Sequence, residues 1–298
     1  MSIDLGRGTA SGGIGTLSGS TGIPDVALND GNSIPQLGFG VWQVGEDEVV
    51  PAVKAAIEAG YRSIDTAEGY DNEAGVGRAI REASVARDEL FVTSKLRTRL
   101  LGYDEAQEGL KGSLKALGLD YLDMFLIHWP APAHDRYVEA WLGLIRAREA
   151  GLVKSIGVSN FLPEHLERII SDSGVVPVVN QIETHPEFQQ RDIRAVLKRH
   201  NIQQESYSPL GSGAVLDNSE IAKIAEAHGK SPAQVIIRWH LQEGLIVIPK
   251  SVHEDRIREN IEVFDFELTD DDMAAIARLD RAPEGRTGSD PATFNDLW

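Results

Sequence analysis

Hydrophobic residues recur at helical spacing along most of the chain, and each such stretch is followed by a short apolar run. In the stretch from Glu46 to Ala59, for example, Val53 and Ile57 share one helix face, and Gly60 follows the last turn. A short segment with an extended pattern then runs from Tyr61 to Asp65. The pattern therefore predicts a helix that leads directly into a strand.

This alternation of helix and strand repeats to the end of the chain. Further helices are predicted over residues 104–117, 138–145, 163–171, 191–200, 219–228 and 231–243. Strands are predicted over residues 37–41, 61–65, 90–95, 123–127, 155–158, 178–183, 202–206 and 245–249. Short apolar strands separated by amphipathic helices are typical of a parallel sheet, so eight strands predict an α/β protein with a (β/α)8 TIM barrel. An open, doubly wound sheet is the alternative that the same pattern allows.

Two stretches do not fit a bare barrel. Between residues 26 and 34, short apolar runs flank Asp30-Gly31, a dipeptide typical of hairpin turns, so we predict a β-hairpin ahead of the first barrel strand. The helices over residues 219–228 and 231–243 also stand where a barrel needs only one. Because no linker interrupts the pattern, residues 24–298 are predicted to form one domain, and the Gly-, Ser- and Thr-rich residues 1–23 a flexible arm.

Charge and composition exclude several classes of protein. The chain has 29 Lys and Arg against 46 Asp and Glu, which gives a formal net charge of -17, and such a surface repels nucleic acid and anionic lipid. With no cysteine, disulfide scaffolds, Cys-ligated zinc and thiol nucleophiles are excluded. The first residues lack the basic start and apolar core of a secretory signal, and no apolar run approaches the ~20 residues that cross a bilayer. We expect a cytoplasmic protein without nucleic-acid or membrane partners.

No common nucleotide or hydrolase motif accompanies the pattern. The chain contains no G-x-G-x-x-G or G-x-x-x-x-G-K-[ST] sequence and no G-x-S-x-G or H-E-x-x-H sequence. The run Gly211-Ser212-Gly213 lacks the third glycine of a dinucleotide-binding loop. A nucleotide cofactor would therefore have to be held in another way.

Polar side chains follow the predicted strands at their carboxyl ends, where the active sites of barrels lie. They are Asp65, Lys95, His128, Ser159, Asn160, Gln181, Ser206, Tyr207, Ser208, Lys250 and Ser251. Taken singly, each has an ordinary structural explanation as a cap, an ion-pair partner or a buried core residue. A cation, a carboxylate and a histidine converging on one end of a barrel instead indicate a catalytic site.

Six short motifs occur in order along the chain: D-T-A-E-G-Y at residues 65–70, T-S-K-L at 93–96, L-I-H-W-P at 126–130, G-V-S-N-F at 157–161, N-Q-I-E at 180–183 and I-P-K-S at 248–251. Together they resemble the aldo-keto reductases. Residues 128–132 and 236–242 are most similar to the bacterial diketo-gluconate reductases. The resemblance runs from about Val26 to the end of the chain. It implies a barrel closed at the bottom by a hairpin and carrying extra helices, which agrees with both irregular stretches.

The resemblance implies carbonyl reduction with Tyr70 as the proton donor. A free tyrosine has a pKa of about 10, so we expect the Lys95 ammonium beside Tyr70 to lower that pKa and favour proton transfer near neutral pH. In the same arrangement Asp65 holds Lys95 in place and charged. His128, as a neutral donor, positions the carbonyl oxygen and shares in the proton transfer.

The resemblance also implies that the cofactor is NADPH. The residues that match the nicotinamide site are Ser159, Asn160, Gln181 and Tyr207; those of the loop across the pyrophosphate are Ser208, Leu210 and Ser212; those of the adenine contacts are Glu259 and Asn260. Lys250, Ser251 and Arg256 form a cationic, hydroxyl-bearing group suited to a ribose 2′-phosphate. No metal is expected.

The substrate is harder to predict than the reaction. Trp42, Trp129, Phe161 and Trp298 are expected to wall the pocket, making it apolar with a polar base. Such a pocket favours small aldehydes, ketones and dicarbonyl compounds, bound by a monomeric enzyme. The strand that contains Gln203-Gln204-Glu205 is more polar than the matching strand of the resembled family usually is, and the sequence offers no reason for it.

Two other functions remain open at this point. A Schiff-base aldolase could use Lys95 as its nucleophile, although such a lysine needs an apolar pocket and a lowered pKa. A cofactor-binding redox sensor or partner subunit would bind NADPH with little turnover and would expose a large apolar surface.

Overall fold

A computed structural model of the chain describes residues 22–298, and it begins with a short antiparallel hairpin. Strands β1 (Asp25–Ala27) and β2 (Ser33–Pro35) pair with Val26 opposite Ile34, and Gly31 adopts a positive φ of 92° in the turn. The predicted hairpin is therefore confirmed. Residues 1–21 of the predicted arm lie outside the described residues. Ile23, the last residue of that arm, is buried against the core.

Eight parallel strands follow in the order in which they occur along the chain. They are β3 (Phe39–Gly40), β4 (Ser63–Asp65), β5 (Phe91–Leu96), β6 (Leu122–Ile127), β7 (Val153–Ser159), β8 (Val179–Glu183), β9 (Gln203–Tyr207) and β10 (Ile246–Val247). Leu37 pairs with Val247 in parallel, and the amide of Gly38 donates to the carbonyl of Val247 at 2.9 Å. The last strand thus returns to the first, which confirms the barrel over the open sheet, in which strand order would reverse.

The described residues contain ten α-helices. They are α1 (Glu46–Ala59), α2 (Glu73–Glu82), α3 (Tyr103–Leu117), α4 (Tyr137–Glu149), α5 (Pro163–Ser173), α6 (Arg191–Arg199), α7 (Ser219–His228), α8 (Pro232–Gln242), α9 (Glu254–Ile261) and α10 (Asp270–Ala277). Helices α2, α9 and α10 were not predicted. In α2 the two glycines weaken the helical pattern, yet Gly77 is required because a Cβ there would lie 1.9 Å from the carbonyl oxygen of Leu117.

The interior of the barrel is apolar at its lower end. Leu28 and Ile34 of the hairpin form one buried cluster with Met124, Leu126 and Ile246 of the barrel strands. The hairpin therefore closes the bottom, as the resemblance implied. A separate apolar cluster joins α7, α8 and α10 outside the barrel, which accounts for the extra helix. No helix within residues 22–298 combines the length and the hydropathy that crossing a membrane demands.

Toward the carboxyl ends of the strands the barrel interior becomes polar. Asp65, Lys95, Gln181 and Glu205 are all buried there. Gln181 and Glu205 are register partners on β8 and β9, so their side chains lie side by side on the inner face. This polar layer forms the floor of the site described next.

Candidate active site

A cavity of about 680 Å³ opens at the carboxyl ends of the barrel strands. It is lined by most of the residues that the sequence singled out: Trp42, Asp65, Tyr70, His128, Trp129, Ser159, Asn160, Gln181, Tyr207, Ser208, Leu210, Ser212, Lys250 and Trp298. Its volume lies within the range of pockets that enclose small molecules. The motifs, although distant along the chain, thus converge on one chamber.

Lys95 lies beneath the cavity and is fully buried. Its ammonium donates to Asp65 Oδ1 at 2.5 Å, to the carbonyl of Thr66 at 2.9 Å and to the hydroxyl of Tyr70 at 3.2 Å. Burial by itself lowers the pKa of Lys95, but Asp65 and Tyr70 raise it more, so the net pKa is raised. All three N–H bonds have acceptors, and Lys95 is therefore a fixed cation.

Tyr70 ends a short 3₁₀ turn, Glu68–Tyr70, which follows β4. Its pKa is raised above the ordinary value, because burial raises it more than the Lys95 ammonium lowers it. The negative charge of Asp65 raises it as well. The expected net lowering of the Tyr70 pKa is therefore wrong. The phenol remains protonated at neutral pH, which is the form that a proton donor requires.

Arg97 holds the turn that carries Tyr70. Its guanidinium donates to the carbonyl of Glu68 at 2.7 Å and also to the carboxylate of Asp71. Asp71 follows Tyr70 with a positive φ of 55°, a conformation that needs support in a residue other than glycine. Arg97 thus fixes the backbone on both sides of the Tyr70 ring, a role that the sequence alone did not indicate.

His128 follows β6 and is buried beside the Tyr70 ring. The two ring centroids are 5.7 Å apart in an edge-to-face arrangement. Burial lowers the pKa of His128 well below its ordinary value, and the positive charges of Lys95 and Arg97 lower it further. The imidazole is therefore neutral, as expected. Its Nδ1 is buried without a described partner, which leaves Nε2 as the nitrogen available to a ligand.

A hydrogen-bonded network joins the predicted nicotinamide residues. Asn160 donates to the carbonyl of His128 at 3.0 Å and to Ser159 Oγ at 3.1 Å, and it accepts from the hydroxyl of Tyr207 at 2.8 Å. The hydroxyl of Ser159 donates to the main-chain carbonyl of Gln181 at 2.9 Å. The polar hydrogens of the Ser159 and Asn160 side chains are thus all donated within the protein. Toward a ligand, these two side chains can only accept hydrogen bonds.

Gln181 connects this network to the polar layer below. Its amide nitrogen donates to Asp65 Oδ2 and to Glu205 Oε2, each at 2.8 Å. No donor among residues 22–298 reaches its Oε1, and Gln181 lines the cavity. The amide oxygen is therefore free to accept a hydrogen bond from a ligand. Glu205 was not predicted as a site residue, although its unexplained polarity in a buried strand was the signal.

The end of the chain closes one side of the cavity. The Phe294 ring packs on Trp129 with centroids 4.3 Å apart, and the Trp298 ring packs edge-on against His128 with centroids 5.1 Å apart. Phe294 was missed by sequence reasoning because nothing in the local pattern shows that this segment returns to the barrel mouth.

A buried carboxylate pins the segment that precedes Phe294. Glu183, at the end of β8, accepts hydrogen bonds from the amide of Thr287 at 2.6 Å and from the amide of Gly288 at 2.9 Å. His185 lies 3.2 Å from the same carboxylate. Burial raises the pKa of Glu183, but these hydrogen bonds lower it by more, to about 2. The wall of the cavity is therefore tied to a barrel strand by an ionised group.

Some predicted residues lie away from the cavity. Phe161 is fully buried and packs edge-on against Tyr137 and His165, so its assignment to the pocket wall is wrong. It follows β7, and its ring points into the core. The remaining cofactor candidates, Ser251, Arg256, Glu259 and Asn260, stand on or just before α9 and do not line the cavity.

Among those candidates Arg256 is exposed and Asn260 is buried. Within the described part of the chain no carboxylate pairs with Lys250 or Arg256, whereas Arg258 of the same helix pairs with Glu254 at 2.8 Å. Both unpaired cations are therefore available to an anion. No group of three His, Asp or Glu side chains within residues 22–298 has the arrangement of a metal site.

Comparison with known proteins gives concordant results. A family model described as the aldo/keto reductase family matches residues 36–281. Methylglyoxal reductase DkgA of Escherichia coli strain K12 is 52% identical over 271 residues, which cover 90% of this chain and 97% of that protein. A solved structure of a Gox0644 variant in complex with NADPH is 51% identical, with a TM-score of 0.88 and coverage of 91% of this chain and 98% of that one. A Bombyx mori aldo-keto reductase in complex with NADP is 40% identical, with a TM-score of 0.82 and coverage of 87% and 93%.

Proposed function

The chain belongs to the aldo/keto reductase family, and from that premise we propose that it is an NADPH-dependent reductase of small, uncharged aldehydes, ketones and dicarbonyl compounds. The observation that carries this proposal is the contact between the Lys95 ammonium and the Tyr70 hydroxyl at 3.2 Å, beside a neutral His128, at the base of an aromatic cavity. The related protein of Escherichia coli bears the name methylglyoxal reductase, and methylglyoxal is a small, uncharged dicarbonyl compound.

The residues present fit the cofactor. Gln181 Oε1 and the free lone pair of Ser159 Oγ suit the two N–H bonds of a nicotinamide carboxamide. The Tyr207 ring, fixed by its 2.8 Å hydrogen bond to Asn160, offers a flat face for stacking. When bound, NADPH supplies the hydride for the carbonyl carbon. Ser208, Leu210 and Ser212 would lie along the pyrophosphate, Lys250, Ser251 and Arg256 would hold the 2′-phosphate, and Glu259 and Asn260 would contact the adenine.

The chain's own residues supply and control the proton. The Tyr70 O–H bond breaks as the new alcohol O–H bond forms, and the phenolate that remains faces the Lys95 ammonium. This attraction acts in a buried site, where water screens it little. Asp65 and the carbonyl of Thr66 hold Lys95 in position. His128 Nε2 donates to the carbonyl oxygen and so orients it toward Tyr70.

The charges around the cavity favour an uncharged substrate. Its substrate side is formed by the rings of Trp42, Trp129, Phe294 and Trp298. Within the described residues its only Lys or Arg is Lys250, which we assign to the cofactor. The chain carries a net charge of -17, so a carboxylate substrate would meet repulsion without a local cation to offset it.

The alternative functions fit the site less well. A Schiff-base aldolase needs a lysine that loses its proton easily, whereas the ammonium of Lys95 has three acceptors and a raised pKa. A redox sensor with little turnover does not need a proton donor, a cation and a neutral imidazole in contact. A measurement of turnover distinguishes the proposed enzyme from the sensor, because both would bind NADPH.

The experiment is a steady-state assay that follows NADPH consumption. Methylglyoxal is tested first, followed by 4-carboxybenzaldehyde and its uncharged methyl ester, which differ in charge but not in the reacting group. We expect turnover of methylglyoxal and a higher kcat/KM for the ester than for the acid. NADPH binding without turnover of any carbonyl would favour the sensor, and a preference for the acid would contradict the inference about charge.

We further propose that the protein is monomeric, that its barrel domain spans residues 24–298 and that it acts in the cytoplasm. Its acidic charge and the bacterial reductases that it is similar to support the cytoplasmic location. Light scattering after size-exclusion chromatography tests the monomer: a mass near 32.5 kDa is expected, and twice that mass would contradict it.

A further inference from the structure

The polar layer beneath the cavity contains one more ionisable group than the proposed reaction uses. Glu205 lies on β9, opposite Gln181 on β8, and its side chain is fully buried. Strand β9 is paired on both sides, with β8 and with β10, and Glu205 does not line the cavity, so its carboxyl group is shut off from water. The carboxyl group must therefore be satisfied, or neutralised, inside the barrel.

Its neighbours in the run Gln203-Gln204-Glu205 have ordinary structural roles. The Gln203 amide donates to the carbonyl of Ala27 in the hairpin at 3.0 Å. The Gln204 amide donates to Thr184 Oγ1 at 2.8 Å. These contacts account for two of the three polar residues in this strand, and Glu205 alone points to the site.

The hydrogen bonds of the layer are divided unequally between its two carboxyl groups. Asp65 receives Lys95 on one oxygen and Gln181 on the other. Glu205 receives only Gln181, on Oε2, and its Oε1 is buried without a described partner. An ionised oxygen without a donor is costly to bury. If one of the two carboxyl groups carries a proton, the geometry selects Glu205.

The charges of the layer lead to the same conclusion. The charged or titratable groups that act on Glu205 are Asp65 on β4 and Lys95 on β5, and Tyr70 lies above them. One cation therefore faces two carboxyl groups. Burial and the charge of Asp65 raise the pKa of Glu205 to about 8, against the opposing effects of Gln181 and Lys95. At neutral pH the layer then holds a single neutralised ion pair, Asp65 with Lys95.

We propose that Glu205 is a positioning residue for the reduction: it must be protonated for Tyr70 to give up its proton efficiently, and its ionisation suppresses turnover. The inference rests on the proposed function. Glu205 neither donates nor accepts the transferred proton. It acts through Tyr70, because an ionised Glu205 adds a negative charge near the phenolate that forms when Tyr70 is deprotonated and offsets the attraction of Lys95.

The test is the pH dependence of kcat for NADPH-dependent reduction in the wild type, in Glu205→Gln and in a matched control, Glu73→Gln. Glutamine keeps the size of Glu205 and can still accept from Gln181, but it does not titrate. Glu73 is also a buried carboxyl with a raised pKa, but it bonds Ser94 on the outside of the barrel at 2.6 Å.

We expect the wild type and Glu73→Gln to lose activity as the pH rises through about 8. One pH unit above that pKa the loss is about tenfold, whereas Glu205→Gln retains most of its activity there, with its decline moved to the higher pH that Tyr70 sets. An unchanged alkaline decline in folded Glu205→Gln would overturn the proposal. So would a uniform loss of activity at every pH, because that pattern indicates a structural role.

A measurement that does not depend on turnover completes the test. In protein labelled with ¹³C at glutamate carboxyl carbons, the infrared band of a protonated glutamate is expected at neutral pH, in Glu73→Gln as in the wild type, and it should disappear as the pH rises through about 8. If Glu205→Gln does not fold, Glu205→Met, of similar length, takes its place; combined with Glu73→Gln, so that Glu73 cannot contribute, it should lack the band. Absence of the band from Glu73→Gln at neutral pH would overturn the proposal. If the wild type reduces no carbonyl at any pH, the proposed function fails while the infrared result still reports on Glu205.

Discussion

The ring of Trp298 lies directly against the backbone of Gly69: a Cβ placed on Gly69 would be 1.9 Å from Cζ3 of the indole. The amide of Trp298 donates to Thr98 Oγ1 at 3.2 Å, and that hydroxyl donates to the carbonyl of Asp296 at 2.6 Å. The ring also packs edge-on against His128. Gly69 precedes Tyr70, so the absence of a side chain at 69 lets the Trp298 ring lie against the turn that carries the proposed proton donor.

Gly69→Ala is predicted to displace Trp298 from the cavity. Because the wall beside His128 would then be lost, we expect KM for an aromatic aldehyde to rise by roughly tenfold, about 1.4 kcal/mol, with the affinity for NADPH unchanged. Gly112→Ala is the matched control, since a Cβ at this helical position meets nothing within 4 Å. An unchanged KM in Gly69→Ala, measured by steady-state kinetics, would show that Trp298 does not contact the substrate.

The stability of the protein is predicted to fall in acid as Glu183 takes up a proton. The folded-state pKa of Glu183 is about 2, below the ordinary value of 4.5, so ionised Glu183 stabilises the fold above about pH 4.5. That contribution, on the order of 3 kcal/mol, is lost as the pH falls from 4.5 toward 2. Glu183→Gln should therefore be less stable than the wild type at neutral pH, and the difference in free energy of unfolding should shrink in acid. A constant difference from neutral pH to pH 3, measured by urea unfolding, would contradict this assignment.

Arg256 is predicted to distinguish NADPH from NADH. It is exposed on α9 without a described acidic partner, and only NADPH carries the 2′-phosphate that it would bind. We expect Arg256→Ala to weaken NADPH binding by roughly tenfold or more and to leave NADH binding nearly unchanged. Arg258→Ala on the same helix removes a cation already paired with Glu254 and should affect neither. Fluorescence titration with both cofactors is the measurement, and equal losses for the two would remove Arg256 from the phosphate site.

Much of the fold follows from the local pattern. Helices α1 and α7 begin and end at the predicted residues, and every barrel strand lies within a few residues of its prediction, because Gly and apolar spacing mark the ends of these elements. Helix α2 was missed since Gly75 and Gly77 lower its helical propensity. Both glycines are needed because Val49 and Leu117 pack too closely against them to leave room for a side chain. These two neighbours are distant in sequence, so the local pattern gives no sign of the contacts.

The site was predicted where motifs specify it and not where it depends on three-dimensional packing. Asp65, Tyr70, Lys95 and His128 converge as the resemblance implied, because each stands at or just beyond the end of a barrel strand. Whether the pKa of Tyr70 is raised or lowered depends on how deeply its ring is buried, which the sequence does not reveal. The same holds for Phe161, whose ring turns into the core, and for Glu205, whose polarity was visible but whose contact with Gln181 was not.

The central claim is that Tyr70 donates the proton in an NADPH-dependent reduction, and single-turnover kinetics of Tyr70→Phe test it most directly. Enzyme loaded with NADPH is mixed with methylglyoxal and the nicotinamide absorbance is followed, with Tyr61→Phe as the control, since Tyr61 is a buried tyrosine that bonds the carbonyl of Ile257 away from the cavity. Loss of a general acid costs about 10² to 10⁴ in rate. A loss of that size in Tyr70→Phe, with wild-type affinity for NADPH and a wild-type rate in Tyr61→Phe, is the predicted result; a rate in Tyr70→Phe close to that of the wild type would contradict the account.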